Sequence, residues 1–436
     1  MKKLEGRALI CIALAVTLII GLGIFIGRLA ADGDDWATFY ANAHVYSQGR
    51  LAVGTVYDRN GEILLKNDED GTHYNEDAGI RRGTVHVVGD KDMNISTAVN
   101  SFFRSDIIGY NFITGTNGSI FSDNRTLRLT IDGNVSKTAN EALGRRNGLV
   151  GVYNWKTGEI ICMTSNPSID PEKDGGGADA ESGTYINKVL SAADTPGSIF
   201  KLVTTKAALE NIAGIDDWSF TCTGRHVIDG EKITCTAAHG RLNLYSALAN
   251  SCNCAYASLA VELGSDVMKK TVDELGLTSS YDVNGIKSKA GSFNFDTYNY
   301  NLGWAGIGQF EDQVNPLSMM VYMGAIAGGG EAAKPYMLKG TGGDSVKLLD
   351  GNTAAKLKEM MRNNVLKTYG DGNYPGLELH AKSGTAEGAK GTVPDAWFCG
   401  FSGDYAFIVC VENGGYGSSV AGPVANKVLQ ALKSGE

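Results

Sequence analysis

Ser198-Ile199-Phe200-Lys201 is the only Ser-x-x-Lys in the chain, and it follows Pro196-Gly197, a turn and helix-start signal. On a helix, positions three apart share a face, so the Lys201 amine reaches the Ser198 hydroxyl and can take its proton. A serine at a helix N-terminus also has free backbone N–H groups beside it, which suit an oxyanion. Alone, such a pair is equally an ordinary helix start. Ser251-Cys252-Asn253 offers a hydroxyl to relay a proton and an amide to hold a substrate amide, yet Ser-x-Asn recurs at Ser122 and Ser292. Lys382-Ser383-Gly384-Thr385 follows Leu377–His380 and reads as strand. It brings a cation, two hydroxyls and a small residue where substrate can lie against the backbone. Lys156-Thr157-Gly158 is a decoy, placed in a hairpin turn upstream of Ser198. Order separates signal from decoy: Ser-x-x-Lys, then Ser-x-Asn, then Lys-Ser-Gly is one known set for acylating a serine.

Other reactive residues read as less eventful. Cys222 and Cys235 flank Asp229-Gly230, and a four-residue loop from Val227 to Gly230 would set them opposite each other. A disulfide there stays open for a hairpin outside the cytoplasm. Cys252 and Cys254 read as buried core, with no histidine spacing that supports a metal. Cys399 and Cys410 fall out of register across their hairpin. His239 and His380 are not needed by a Ser–Lys scheme, and Trp397 reads as core of the terminal hairpin. Glu311 to Asn315 lacks the pattern of a deacylating Glu…Asn pair.

The elements that must position these residues are legible in outline. Val53–Tyr57 and Glu62–Leu65 flank an Asn60-Gly61 turn, a β-hairpin signal. Residues 68–84 are polar and Gly-rich, and 94–109 could be helical. Leu127–Ile131 reads as strand, and Asp132 can cap a helix to about Leu143. Val150–Trp155 and Ile160–Thr164 read as a strand pair. Helical periodicity recurs at Phe200–Leu209, Leu244–Leu263 and Pro316–Ala327. Ala396–Phe401 and Tyr405–Val411 are strands, and Ala421–Lys433 is a helix. Strands at both ends of a helical middle predict an α+β domain with an antiparallel sheet.

Bulk properties bound the rest. The chain has 436 residues, enough for two or three domains, and a net charge of −9, which argues against a nucleic-acid binder. Hydrophobic content of 43% excludes wholesale disorder, and 8 Cys are too few for a disulfide scaffold. Ala8–Gly27 carries no charge and is long enough to cross a bilayer. It exceeds the apolar stretch of a signal peptide, which favours an anchor over cleavage. Lys2, Lys3 and Arg7 place the N-terminus in the cytoplasm and the rest outside.

In this order the motifs match the set shared by penicillin-binding proteins and serine β-lactamases. The chain resembles a class B penicillin-binding protein, the monofunctional DD-transpeptidase of elongation or division. Matching context includes Tyr57–Gly61, Leu129–Asp132, Thr157–Ile160, Asn166-Pro167-Ser168, Thr195–Ser198, Gly306–Gln309, Pro316-Leu317 and His380–Glu387. Two departures are visible. Val53 stands where the family usually has Arg, and the N-terminal region is short. The acidic pattern of a fused glycosyltransferase is missing.

The resemblance implies a penicillin-binding/β-lactamase-like transpeptidase fold at 125–436, an antiparallel sheet plus helical cluster. A smaller N-terminal pedestal is expected at 32–124, and a cytoplasmic tip with transmembrane anchor at 1–31. It implies that Ser198 attacks the bond between terminal D-Ala residues of a stem peptide, with Lys201 as base. Lys201 would be kept neutral by burial and by the charge of Lys382. Ser251 would relay the proton, Asn253 would hold the peptide, and Lys382, Ser383 and Thr385 would receive the carboxylate beside Gly384. Backbone N–H groups of Ser198 and Thr385 would form the oxyanion hole. Implied partners are peptidoglycan stem peptides, β-lactams, the plasma membrane and a polytopic membrane glycan polymerase; no cofactor, metal or nucleic acid is expected. Competing readings are a DD-carboxypeptidase or β-lactamase, and a β-lactam sensor or scaffold.

Overall fold

The computed structural model describes residues 2–39, 54–68, 71–108, 110–111, 115–116, 126–173, 180–388 and 391–435. Val53 and the 124/125 boundary lie outside them. Lys2–Thr38 is one helix, whose stretch Lys3–Gly33 is long and apolar enough to cross a membrane. It runs beyond the uncharged segment at both ends. Its apolar side chains, such as Leu9, Leu18 and Phe25, are exposed.

The small N-terminal sheet has the order Gly71–Tyr74, Ile63–Asp68, Gly54–Tyr57, Thr126–Arg128. The expected hairpin is there, and Asp58 Oδ1 braces its turn by accepting from the Asn60 and Glu62 N–H groups at 2.8 and 2.9 Å. Thr126–Arg128 pairs in parallel with Gly54–Tyr57, so this sheet draws a strand from beyond residue 125. The polar stretch at 68–84 hides part of a helix, Ala78–Val88, capped by Asp77. Its apolar periodicity is masked by Gly79, Arg81, Arg82 and Gly83, and packing supplies the reason. A Cβ on Gly83 would meet the Ser136 carbonyl at 2.4 Å, so glycine lets this helix lie directly on Gly133–Leu143. Residues 94–108 hold two short helices, Val99–Phe102 and Arg104–Ile108, rather than one; residue 109 lies outside the described residues.

The large sheet is antiparallel throughout, in the order His380–Ala386, Asp395–Ser402, Tyr405–Val411, Gly148–Asn154, Ile160–Asn166. Alternation divides its side chains between two cores. Val150, Val152, Phe398 and Val409 pack with Val428 and Leu429 of the C-terminal helix Gly417–Gly435. Leu149, Tyr153 and Ile408 face Met319 and Met320 of Pro316–Ala327. That helix is buried along its whole length, and Asn315 caps it by accepting from the Ser318 N–H at 3.3 Å. The helical cluster continues with Lys201–Asn211, Leu244–Ala249, Asn253–Glu274 and Gly351–Asn364. Asp132 caps Gly133–Leu143 as expected.

The cysteine hairpin corrects the sequence expectation. Arg225–Ile228 pairs with Glu231–Thr234 through a two-residue turn, with Asp229 and Gly230 at φ 51° and 84°. Such a turn matches strand twist better than a four-residue loop. Cys222 therefore leaves this ladder and pairs with Gly240 in a second one, Phe220–Cys222 with Gly240–Leu242. All eight cysteines are free. Cys399 faces Ile408 and Cys410 faces Trp397, out of register with each other as expected.

Candidate active site

Ser198 sits in a tight turn, Gly197–Phe200, that runs straight into Lys201–Asn211. Gly197 has φ 55°, and a Cβ there would meet the Thr385 carbonyl at 2.5 Å. Only glycine allows the serine turn to lie this close to the Lys382–Thr385 strand. From the other side, the Gly197 N–H donates to the Gly308 carbonyl at 2.8 Å. Gln309 Nε2 reaches the Thr385 carbonyl at 3.4 Å, so Gly306–Gln309 ties turn to strand. Trp397 is core as expected, and its Nε1 donates to the Thr195 carbonyl at 3.1 Å.

Ser251 and Cys252 occupy the joint between two helices. Ser251 takes φ 50°, an unusual conformation for a residue with a Cβ and one that costs of order 1–3 kcal/mol. The joint is held because Ser251 N–H donates to Leu248 O at 3.0 Å and Cys252 N–H to Ala247 O at 2.9 Å. Lys382 and Ser383 lie on the sheet's edge strand, which has a neighbour on one side only. An extended chain can add to that free edge.

These three segments converge on two buried amines. Lys201 Nζ donates to Ser198 Oγ at 2.9 Å, Ser251 O at 2.8 Å and Asn253 Oδ1 at 2.7 Å, and lies 3.2 Å from Ser251 Oγ. Lys382 Nζ donates to Ser251 Oγ at 3.0 Å and Ser383 O at 2.6 Å. Both lysines are fully buried, and among the described residues neither has a carboxylate partner. Burial pulls the Lys201 amine down to about 7, against the opposing influence of the Cys235, Cys252 and Cys254 thiols. Burial and then the charge of Lys201 push Lys382 well below the usual amine range. Burial is the leading cause for both amines, and the repulsion between them is mutual, so the pair resists carrying two charges at once.

All eight site residues expected from the sequence come together here. Ser198, Ser251, Asn253, Ser383 and Thr385 line a cleft of about 490 Å³, within the range of small-molecule sites. Lys201 and Lys382 lie under its floor. Gly384 is packed so tightly that a Cβ would meet the Pro196 carbonyl at 2.9 Å. Sequence reasoning missed Tyr369. Its hydroxyl accepts from the Ser383 N–H at 2.9 Å and lies 3.1 Å from Ser383 Oγ. It also missed the cleft walls Trp304 and Tyr416. No local pattern marks any of the three. His380 stacks on Phe401 with ring centroids 4.6 Å apart and is not among the hydrogen-bond partners of either amine.

The cysteines differ from expectation in a second way. Cys252 and Cys254 are buried, but Cys252 precedes the helix rather than sharing it with Cys254. The donor atoms of Cys222, Cys235, His239 and Cys252 all lie within 4.8 Å of one another. Three separate segments supply the cluster, so spacing along the chain does not display it. The overlooked signal was Cys235-x-x-x-His239 followed by a cysteine inside the Ser251–Asn253 motif.

Residues 148–430 match the family description "Penicillin binding protein transpeptidase domain". The chain belongs to this family. Among curated relatives, the peptidoglycan D,D-transpeptidase PbpA of Mycobacterium tuberculosis is 26% identical over 336 residues, covering 67% of this chain and 68% of that protein. Stage V sporulation protein D of Bacillus subtilis is 27% identical over 240 residues, covering 50% of this chain and 35% of that protein. Among solved structures, a ceftriaxone acyl-enzyme complex of penicillin-binding protein A from M. tuberculosis aligns with a TM-score of 0.77 at 22% identity. It covers 87% of this chain and 98% of the other. The D,D-transpeptidase domain of a peptidoglycan glycosyltransferase from Eggerthella lenta gives 0.74 at 22% identity, with 88% and 98% covered. At these identities the structures speak for the fold. This penicillin-binding protein thus combines the family's sheet and helical cluster with a small N-terminal unit and an apolar N-terminal helix.

Proposed function

We propose that this penicillin-binding protein is a class B peptidoglycan D,D-transpeptidase that works through an acyl-Ser198 intermediate and is inhibited by β-lactams. One observation carries the reading: a buried, carboxylate-free Lys201 amine at 2.9 Å from Ser198 Oγ, lowered to about 7. Neutral Lys201 accepts the Ser198 proton as Oγ attacks the carbonyl between two terminal D-Ala residues. The tetrahedral oxyanion is met by backbone N–H groups of Ser198 and Thr385. Ser251, within reach of both amines, passes the proton to the leaving D-Ala nitrogen. Asn253 holds the stem peptide's amide, and Lys382, Ser383 and Thr385 receive its terminal carboxylate. The amine of a second stem peptide then breaks the ester.

The test is labelling with a fluorescent penicillin, peptide mass mapping and a deacylation rate. A stable label on Ser198 is expected, with cross-linked dimer formed from stem peptides. Rapid hydrolysis of the ester without cross-linking would instead make the protein a D,D-carboxypeptidase or β-lactamase. A stable label with no turnover of stem peptides would make it a sensor or scaffold.

The apolar helix supports a single-pass anchor in the plasma membrane, N-terminus inside, with residues 32–124 as pedestal and 125–436 as the catalytic unit outside. A transpeptidase without its own polymerase acts where glycan is being made, so the expected partner is a polytopic membrane glycan polymerase. Gly21, Gly23 and Gly27 have nothing within 4 Å of where a Cβ would stand, and allow close helix approach. Exchanging residues 8–27 for an unrelated membrane helix, and separately deleting the pedestal, should each weaken co-purification with the polymerase. Survival through both changes sinks the partner claim.

A further inference from the structure

Residues 220–242 make two short ladders beside the cleft, Phe220–Cys222 with Gly240–Leu242 and Arg225–Ile228 with Glu231–Thr234. Two-stranded ladders of this size are marginal on their own. Few of their side chains are core: Ile228, Ile233 and Leu242 are buried, while Arg225, Val227, Glu231, Lys232 and Arg241 are exposed. Yet this segment holds a catalytic-site residue, since Asn253 Nδ2 donates to the Thr234 carbonyl at 3.2 Å. Something other than apolar burial must fix it.

The donor atoms gathered there have the geometry of a metal centre. Cys235 Sγ lies 3.8 Å from Cys252 Sγ and 3.5 Å from His239 Nδ1. All four donors, with Cys222 Sγ, fall within 4.8 Å of one another. Zn–S bonds of about 2.3 Å and Zn–N bonds of about 2.0 Å set the ligand atoms of a tetrahedron about 3.5–3.8 Å apart. A disulfide instead needs sulfurs at about 2.05 Å and would leave His239 without a role. The surroundings also fit, because the Asn253 N–H points at Cys235 Sγ at 3.3 Å and can hydrogen-bond a bound thiolate.

We propose that Cys222, Cys235, His239 and Cys252 bind one zinc ion in a closed site of three thiolates and one imidazole that positions the Ser251-Cys252-Asn253 turn. On binding, each thiol gives its proton to solvent, and neutral His239 coordinates through Nδ1. Four protein ligands leave no open position, so the metal is structural. It staples the two ladders to the start of the helix Asn253–Glu274 and holds Asn253 and Ser251 on either side of a ligand. Effects on acylation rest on the proposed function; the metal site itself does not.

The experiment uses the full chain purified in detergent without chelators. Elemental analysis should give about one zinc per chain. Apo protein titrated with cobalt(II) alone should develop the intense visible absorption of a tetrahedral cobalt thiolate, saturating at one equivalent. Cys222→Ser and His239→Ala should each lose the metal, while Cys11→Ala in the apolar helix keeps it. Stripping the zinc should slow penicillin acylation several-fold, and its return should restore the rate. Neither zinc nor a tetrahedral cobalt spectrum, or a disulfide among these cysteines by mass mapping, overturns the site. Full metal content in both variants does the same. Unchanged acylation after stripping overturns the positioning role alone. A wild-type chain that binds cobalt but never labels Ser198 would leave the site standing and refute the transpeptidase reading.

Discussion

Two buried cationic centres of this protein solve the same problem in opposite ways. At the junction between the N-terminal unit and the large sheet, Arg81 forks onto Asp170, with Nε and Nη2 at 2.6 and 2.7 Å from the two carboxylate oxygens. Arg81 Nη1 donates to the Asn75 and Glu76 carbonyls as well. The pair holds Asp170 below the usual carboxylate range and raises Arg81, so both stay charged. In the cleft, Lys201 and Lys382 are as deeply buried but, among the described residues, hydrogen-bond to hydroxyl, amide and carbonyl oxygens and to no carboxylate. Their charge is therefore disfavoured, and Lys201 falls to about 7. Where the chain needs rigidity it neutralises a buried cation. Where it needs a proton acceptor it withholds the counter-charge.

Removing the cleft cation is the largest test. Lys201→Ala should slow penicillin acylation by at least about 10⁴-fold, in the range seen when an essential nucleophile or base is lost. Its thermal melt should fall much less than that of Arg81→Ala, because only hydrogen bonds and no ion pair are lost. A near wild-type rate in stopped-flow labelling would break the contrast. Removing the junction cation should do the reverse. Arg81→Ala removes the bidentate cation from a buried Asp170, which keeps the Glu172 N–H, and should cost about 3 kcal/mol in chemical denaturation, with little change in the acylation rate of the folded fraction. The junction's contribution should be full above the unfolded carboxylate pKa of about 3.9. It should be lost only as pH falls through the lower folded value of Asp170.

The acylation rate should respond at a different pH. Because the neutral amine is the base, the rate should level off above about pH 8 and fall through a midpoint near 7. At pH 5.5 it should be about 30-fold slower, each pH unit below the pKa removing tenfold of the neutral form. A flat profile over that span would mean that Lys201 is not the titrating base. The smallest effect is expected at Tyr369→Phe, which removes the acceptor for the Ser383 N–H and should cost about 1 kcal/mol. The expected reading is about fivefold in acylation, with the same pH midpoint.

The contrast also explains what the sequence could disclose. Ser198, Lys201, Ser251, Asn253 and Lys382 were legible because each motif packs its reactive residues into three or four positions, and their order is informative. The helix at Gly133–Leu143 was legible from its Asp132 cap, and that at Pro316–Ala327 from its helical spacing. Arg81 was not, because it lies on a helix whose glycines serve close packing and dilute the apolar pattern. Tyr369 was not, because its hydroxyl reaches Ser383 from the end of a separate turn, Val365–Tyr369. The Cys–His cluster failed for the same reason, since strand, loop and helix cap each contribute to it. What local spacing encodes was readable; what only tertiary closure brings together was not.

Closure of the large sheet has a consequence for how the protein is made. Gly148–Asn154 has no partner on one side until Tyr405–Val411 arrives to pair with it. At about 5–20 residues per second, synthesis of the intervening chain takes roughly 12–50 s. During that time the first two strands have an open edge, and Ser198, Lys201 and Ser251 are already synthesised without a strand to face. Lys382 sits on the outermost strand, whose one strand neighbour is Asp395–Ser402. A nascent chain or a fragment ending before about residue 402 therefore carries the nucleophile and both hydroxyl motifs, yet has no cleft. Reactivity toward the cell wall's own precursors is withheld until the last part of the chain has emerged.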